Sequence, residues 1–190
     1  MNYFKKFPHI ESSGEVLVWD SRQDEGGQPE IVLLRPNLSS ENKAQILKRK
    51  NISRVLCEKE DEKLFPHEKV FVVDSVEHEL SQICAHYFQD PSLNLTVLGV
   101  TGTNGKSSCV DLLVKFLSTR GEKVAKIGTL GLEIYLRGKL IHFEETGFTT
   151  PESPALQAML AALKSEGVRR VVMEVSSHAI SLYKDGTCSF

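Results

Sequence analysis

Leu95-Thr96-Val97-Leu98-Gly99-Val100-Thr101-Gly102-Thr103-Asn104-Gly105-Lys106-Ser107-Ser108 is the stretch on which the fold turns. Its first six residues are apolar and partly β-branched, as a strand buried in a parallel sheet requires. Its middle is rich in glycine and small polar residues, which break regular structure. A helical pattern then runs from Ser108 to Arg120, with Val110, Leu113, Phe116 and Leu117 expected on the core face and Gly121 placed to end it. Strand, glycine-rich loop and helix in this order form a phosphate-binding arrangement. The glycines let backbone N–H groups approach phosphate oxygens and cradle them, and the helix N-terminus adds about half a positive charge. Lys106 can bridge β- and γ-phosphates, and the Ser107 hydroxyl can ligate Mg²⁺. The spelling departs from the usual GxxxxGK[ST], because Val100 stands where that pattern has its first glycine and Gly99 lies one place earlier.

Outward from the loop, strands and helices alternate. Val124 to Thr129 reads as a strand, and Leu132 to Phe143 as a hairpin turning at Arg137-Gly138. Pro154 to Glu166 reads as a helix ended by Gly167, and Arg170 to Val175 as a buried strand. Glu174 closes that apolar run, so it projects at the carboxyl end of a strand, the edge at which open α/β sheets bind ligands. By position alone, a Mg²⁺ ligand and a solvated or ion-paired structural acid are equal readings of this residue.

Before the loop, Val16 to Trp19, Ile31 to Leu34, Arg54 to Cys57 and Val70 to Val73 are short strand-like runs, with Glu41 to Lys50 of helical composition between the second and third. Lys48-Arg49-Lys50 reads as a solvated helix end. Ser75 can cap a helix to about Phe88, and Asp90-Pro91-Ser92 is the expected domain boundary. The fold class is therefore α/β: a small N-terminal α/β domain over residues 1–92, then a phosphate-loop domain with a mainly parallel sheet over 93–190. The sheet lacks the further helix and strand that would complete a nucleotide-binding domain, so the chain is expected to be a truncated central domain.

Composition narrows the function class. The net charge of −2 offers no polyanion-binding surface, which argues against nucleic acid as a partner. No window has the 18 or so apolar residues of a membrane span, and Met1 to Ile10 is not a secretory signal, so a cytoplasmic protein without membrane contact is expected. The four cysteines, Cys57, Cys84, Cys109 and Cys188, form no CxxC pair and read as free thiols. Cys109, beside the loop, is expected to be a small buried side chain, with a reactive thiol as the alternative. His9, His67, His78, His86 and His142 share no metal-ligand spacing.

Three segments together resemble the Mur ligases, the amide ligases of peptidoglycan synthesis. Gly-Val-Thr-Gly-Thr-Asn-Gly-Lys-Ser-Ser (99–108) is similar to the family's ATP loop, with Ser107 and Ser108 where two threonines are usual. Thr149-Thr150-Pro151-Glu152 looks like its paired-threonine substrate segment. Glu174-Val175-Ser176-Ser177-His178-Ala179 and Ile127-Gly128-Thr129-Leu130-Gly131 resemble the MurE branch, which acts on UDP-N-acetylmuramoyl-dipeptide. The likeness spans residues 95 to 186 and is weak before, where only Asp20-Ser21-Arg22 matches. The family's usual continuation after that tripeptide is absent, which puts uridine binding by the N-terminal domain in doubt.

The resemblance implies that Gly102, Thr103, Asn104, Gly105, Lys106, Ser107 and Ser108 bind ATP, with Lys106 on the phosphates. It implies Ser107 and Glu174 as Mg²⁺ ligands. Ser21, Thr149, Thr150, Ser176 and Lys184 would contact the UDP-sugar-peptide, Lys184 standing where arginine is usual and so weakening bidentate recognition. His178 is expected to make structural hydrogen bonds. The implied reaction adds meso-diaminopimelate or L-lysine to UDP-N-acetylmuramoyl-L-Ala-D-Glu through an acyl phosphate. The family's later machinery lies beyond Phe190, so the 190-residue chain, expected to be monomeric, is expected to be inactive or nearly so. A different Mur-type ligase, and a nucleotide-binding or regulatory remnant without ligase activity, are the competing expectations.

Overall fold

A computed structural model describes residues 15–18, 27–36, 38–145 and 150–176. The chain divides into two compact units between Tyr87 and Phe88. The expected break at Asp90-Pro91-Ser92 lies just beyond. There Gln89 and Asp90 both take positive φ (60° and 45°) and lead into a 3₁₀ turn at Pro91–Asn94.

The first unit holds four parallel strands in the order β1 (Val16–Val18), β2 (Glu30–Leu33), β3 (Ile52–Cys57) and β4 (Val70–Val72). Helices α1 (Ser40–Leu47) and α2 (Val76–Tyr87) accompany them. The Ser39 hydroxyl accepts the Asn42 N–H at 3.2 Å and starts α1, as a Ser N-cap should. Alternate strand positions Val16, Val18, Val32, Val55 and Cys57 pack with Ile46 of α1 into one core. Arg49 departs from the sequence expectation of a solvated helix end. It is buried, and its guanidinium grips Glu30 of β2 with two hydrogen bonds of 2.7 and 2.8 Å. Tyr87 closes the unit by accepting the Leu17 N–H at 3.0 Å and donating to the Glu15 carbonyl.

The second unit is a five-stranded sheet in the order β5 (Thr96–Val100), β9 (Arg170–Glu174), β6 (Val124–Gly128), β7 (Gly131–Leu136) and β8 (Lys139–Glu144). The expected parallel arrangement holds for β5, β9 and β6, while β7 and β8 add an antiparallel hairpin extension. The β7–β8 turn falls at Arg137-Gly138, both at positive φ (53° and 72°), the conformation of a tight two-residue hairpin loop. Helix α3 (Lys106–Ser118) follows β5, and α4 (Ser153–Ser165) precedes β9. The chain therefore crosses from β5 past a vacant position to β6 and returns through β8 and α4 to fill the gap with β9.

Helix α3 lies on one face of this sheet, where Val110 and Val114 pack with Val124, Tyr135 and Val172. Phe116 was expected on this core face but is 64% exposed, and Leu112 stands out with it. At about 100° per residue Phe116 points roughly 120° away from Val110, whereas Val114 returns to within about 40° of it. Val171, Met173 and Ile127 alternate to the other face and are fully buried, so both faces are covered at β9 and β6, whereas β5, expected to be a buried strand, is the sheet's edge and is exposed at Thr96, Leu98 and Gly99. No helix among the described residues is long and apolar enough to cross a membrane.

Candidate functional site

The loop 101–105 connects β5 to α3 and stands exposed, with Gly102 at φ 150° and Gly105 at φ 79°. Gly105 is the N-cap of α3, and no side chain caps the helix there. A glycine cap leaves the N–H groups of the first helical turn for a ligand rather than for a Ser or Asp side chain. Lys106 opens the helix half-buried, and its ammonium donates to the Gly102 carbonyl at 2.8 Å, folding back over the loop. Ser107 and Ser108 follow, both exposed. Cys109 is exposed as well, contrary to the expected buried side chain, because α3 turns its 110/114 side to the sheet.

Glu174 ends β9, between β5 and β6, and is only 2% exposed. The parallel register pairs it with Val100, the last residue before the loop, and the Val175 N–H donates to the Val100 carbonyl at 2.9 Å. Strand alternation puts the Glu174 side chain on the same face as Val172, which is the face covered by α3. The buried carboxylate accepts two long hydrogen bonds from Thr129, N–H to Oε1 at 3.4 Å and Oγ1 to Oε2 at 3.3 Å. Among the described residues no Lys, Arg or His forms an ion pair with it. Of the readings that position alone left equal, a solvated acid does not fit this burial. A buried carboxylate that keeps its charge needs a cation, and the site suits a divalent ion held between an oxygen ligand and phosphate.

Thr150 and Ser176 meet at the same sheet end. The Thr150 hydroxyl donates to the Glu174 carbonyl at 3.1 Å and accepts the Ser176 N–H at 3.2 Å. The carboxyl end of β9 thus gathers the phosphate loop, the acid and two of the residues expected at the substrate. Ser21, Thr149, His178 and Lys184 lie outside the described residues.

One feature of the site entered the sequence reading only within the resemblance of Ile127 to Gly131, with no role assigned to it. Residues 128–131 form a two-residue turn, Gly128 pairing with Gly131 and Thr129 bearing on Glu174. Both glycines are demanded by packing: a Cβ at Gly128 would lie 2.4 Å from Glu174 Oε1, and one at Gly131 would lie 2.2 Å from the Glu144 carbonyl oxygen. The Gly-x-x-Gly spacing was the only local signal.

Beneath the site a charged network ties α3 to the sheet. Lys126 of β6, nearly inaccessible, reaches Asp111 of α3 at 2.6 Å and Glu133 of β7 at 2.7 Å. The Tyr135 hydroxyl donates to the other Glu133 oxygen at 2.5 Å. Burial pulls the Lys126 pKa down, but the hydrogen bonds and charges of Asp111 and Glu133 outweigh it and hold the ammonium above its usual range. Burial, with Glu133 alongside, pushes Tyr135 up to about 12.

Residues 100–189 match the Mur ligase middle domain. The UDP-N-acetylmuramoyl-L-alanyl-D-glutamate–2,6-diaminopimelate ligase of Corynebacterium glutamicum is 47% identical over 113 residues, which cover 60% of this chain and 21% of that protein. The enzyme of the same name from Pseudomonas syringae pv. tomato is 34% identical over 186 residues, 94% of this chain and 37% of its own length. A solved structure of such a ligase aligns with 97% of this chain and 38% of its own at a TM-score of 0.69 and 22% identity, a likeness of fold. The chain therefore spans less than two fifths of the length of these relatives. With its phosphate loop and its strand-end acid, the segment 100–189 belongs to the Mur ligase middle-domain family.

Proposed function

We propose that this chain carries the ATP- and Mg²⁺-binding part of a ligase that joins an amino acid to UDP-N-acetylmuramoyl-L-Ala-D-Glu in the cytoplasm. The observation that carries the proposal is the register Val100 to Glu174, which sets a buried carboxylate, without a cationic partner among the described residues, beside the phosphate loop. The relatives' names favour 2,6-diaminopimelate over L-lysine as the amino acid. Residues 1–92 would form the UDP-substrate domain and 93–190 the ATP-binding domain. Thr149, Thr150, Ser176, Lys184 and Ser21 would contact the UDP-linked substrate.

A carboxylate resists amide formation because its oxygen is a poor leaving group. ATP supplies the activation by transferring its γ-phosphoryl group to the D-glutamyl carboxylate, after which the incoming amine attacks the acyl carbon and inorganic phosphate leaves. The chain's own residues contribute position and charge. The N–H groups of 102–108 cradle the phosphates, and Lys106 exchanges the Gly102 carbonyl for phosphate oxygens. Glu174 and Ser107 supply oxygens for the divalent ion. Thr150, tied to the Glu174 carbonyl and the Ser176 N–H, holds the neighbouring backbone in register.

The test is equilibrium binding of ATP in Mg²⁺ by calorimetry. Lys106→Ala removes a charged hydrogen-bond donor worth about 1.5–3 kcal/mol, so affinity should fall roughly tenfold to a hundredfold. Binding unchanged by Lys106→Ala would reject the loop as the ATP site.

A further inference from the structure

We infer that Gly128 and Thr129 form a built seat that orients the Glu174 carboxylate toward its cation, with Thr129 a positioning residue. The inference rests on the proposed reading of Glu174 as a divalent-ion ligand. Its grounds are geometric. Thr129 directs one donor to each carboxylate oxygen, its N–H to Oε1 at 3.4 Å and its hydroxyl to Oε2 at 3.3 Å. Two donors on two oxygens fix the carboxylate's rotation as well as its place. Both donors are neutral, so they orient the group without cancelling its charge. A lysine or arginine in that place would satisfy the carboxylate and remove its need of a cation.

Gly128 supplies the room. A Cβ there would stand 2.4 Å from Oε1, 3.1 Å from Cδ and 3.3 Å from Cγ of Glu174. The whole distal half of the acid thus lies in the space that any other residue's side chain would fill. Gly128 is not among the glycines at positive φ, so its backbone does not require glycine. Close approach of the acid does. The adjoining Gly131, by contrast, is at φ 129° and presses on the Glu144 carbonyl, which anchors the turn from its other end. Gly128-Thr129-Leu130-Gly131 is therefore shaped on one side by the acid and on the other by the end of β8. Groups that orient a metal ligand in this way commonly alter metal affinity by ten- to a hundredfold when lost. The long distances here place Thr129 at the low end of that range.

The experiment titrates the full chain with Mn²⁺ in the presence of a non-hydrolysable ATP analogue and reads free Mn²⁺ by electron paramagnetic resonance. Glu174→Gln should weaken Mn²⁺ at least tenfold. Thr129→Val should weaken it about tenfold, while Thr129→Ser, which keeps the hydroxyl, should stay within about twofold of the parent. Gly128→Ala should lose as much as Thr129→Val or more. In the Glu174→Gln background, Thr129→Val should cost nothing further, because Thr129 acts only through the acid. Affinity for the analogue in EDTA should be the same in all variants, which separates metal orientation from damage to the phosphate loop. If Glu174→Gln weakens Mn²⁺ but Thr129→Val does not, or adds its full factor to Glu174→Gln, the seat is refuted and the acid's role stands. If Glu174→Gln leaves Mn²⁺ affinity unchanged, the reading of the acid fails and the seat with it.

Discussion

Lys126→Met tests whether the buried network beneath the site is a structural tie. The Lys126 side chain is 3% exposed and serves two carboxylates, Asp111 at 2.6 Å and Glu133 at 2.7 Å. Methionine keeps most of its volume and an unbranched, flexible stem, so the change removes charge more than packing. The two carboxylates then fare differently. Asp111 is 40% exposed and can recover hydration, but Glu133 is 7% exposed and is left as a buried anion with only the Tyr135 hydroxyl. Stripping a buried ion of its partner costs about 3–5 kcal/mol, and the surviving hydroxyl places this case near the lower figure. In a unit of about a hundred residues, 3 kcal/mol corresponds to a fall in melting temperature of roughly 12–24 °C. Urea unfolding followed by circular dichroism measures the loss, and amide exchange at Ile127 and Ile134 shows whether it is local to β6 and β7. The double variant Lys126→Met/Glu133→Gln removes the stranded charge and should recover most of the stability. A single variant within about 1 kcal/mol of the parent, or a double variant as unstable as the single, would refute the assignment of the cost to a buried unpaired charge.

Three further outcomes concern the second unit. Gly131→Ala should cost about 2 kcal/mol or more in thermal unfolding, since its Cβ would stand 2.2 Å from the Glu144 carbonyl at φ 129°. Gly167→Ala, at φ 76° with nothing within 4 Å of its Cβ, meets only the backbone strain and should cost less. Alkaline pH should destabilise the second unit. Lys126 and Tyr135 both hold their protons more tightly folded than unfolded. Unfolding therefore releases protons, and stability present below pH 10 should be lost as pH rises through about 12, where Tyr135 ionises in the fold. Urea midpoints at pH 8, 10 and 11 check this, and a midpoint that stays level or rises would contradict it.

The parts of this chain that the sequence made legible are those whose cause is local. The phosphate loop could be read because strand, glycines and helix are consecutive. Arg137-Gly138 could be read because the turn chemistry lies in the two residues themselves. Glu174 could be placed at a strand end but not assigned a role, since its burial depends on β5 and β6 arriving from elsewhere. Arg49 was misread for the same reason: its partner Glu30 is 19 residues earlier on another strand, and three basic residues in a row look solvated in isolation. Phe116 was a fault of phase, since a few apolar residues on a short helix fit more than one stripe. Gly128 was opaque because the contact that demands a glycine is with a side chain in a strand far along the chain.

The arrangement of charge on the α3 side of the sheet carries an argument of its own. Val124, Lys126 and Gly128 alternate to that face of β6, and Val172 and Glu174 to the same face of adjacent β9. Lys126 is thus the buried cation on the face where Glu174 is the buried acid, and a direct pair between them would be the simplest way to neutralise both. The fold does otherwise. Lys126 is held by Asp111 and Glu133, one on α3 and one on β7, so its charge is taken before it can serve Glu174. Among the described residues, Glu174's carboxylate receives only the neutral donors of Thr129. A buried lysine with two carboxylates already excludes a third as an energetic need, and a buried carboxylate without a lysine retains one. Two of the network's members, Lys126 and Asp111, also join the sheet to the helix that begins at the phosphate loop. The same contacts that fasten α3 in place therefore keep Lys126 from pairing with the acid, which leaves its carboxylate to a divalent cation bound to phosphate in the proposed reading.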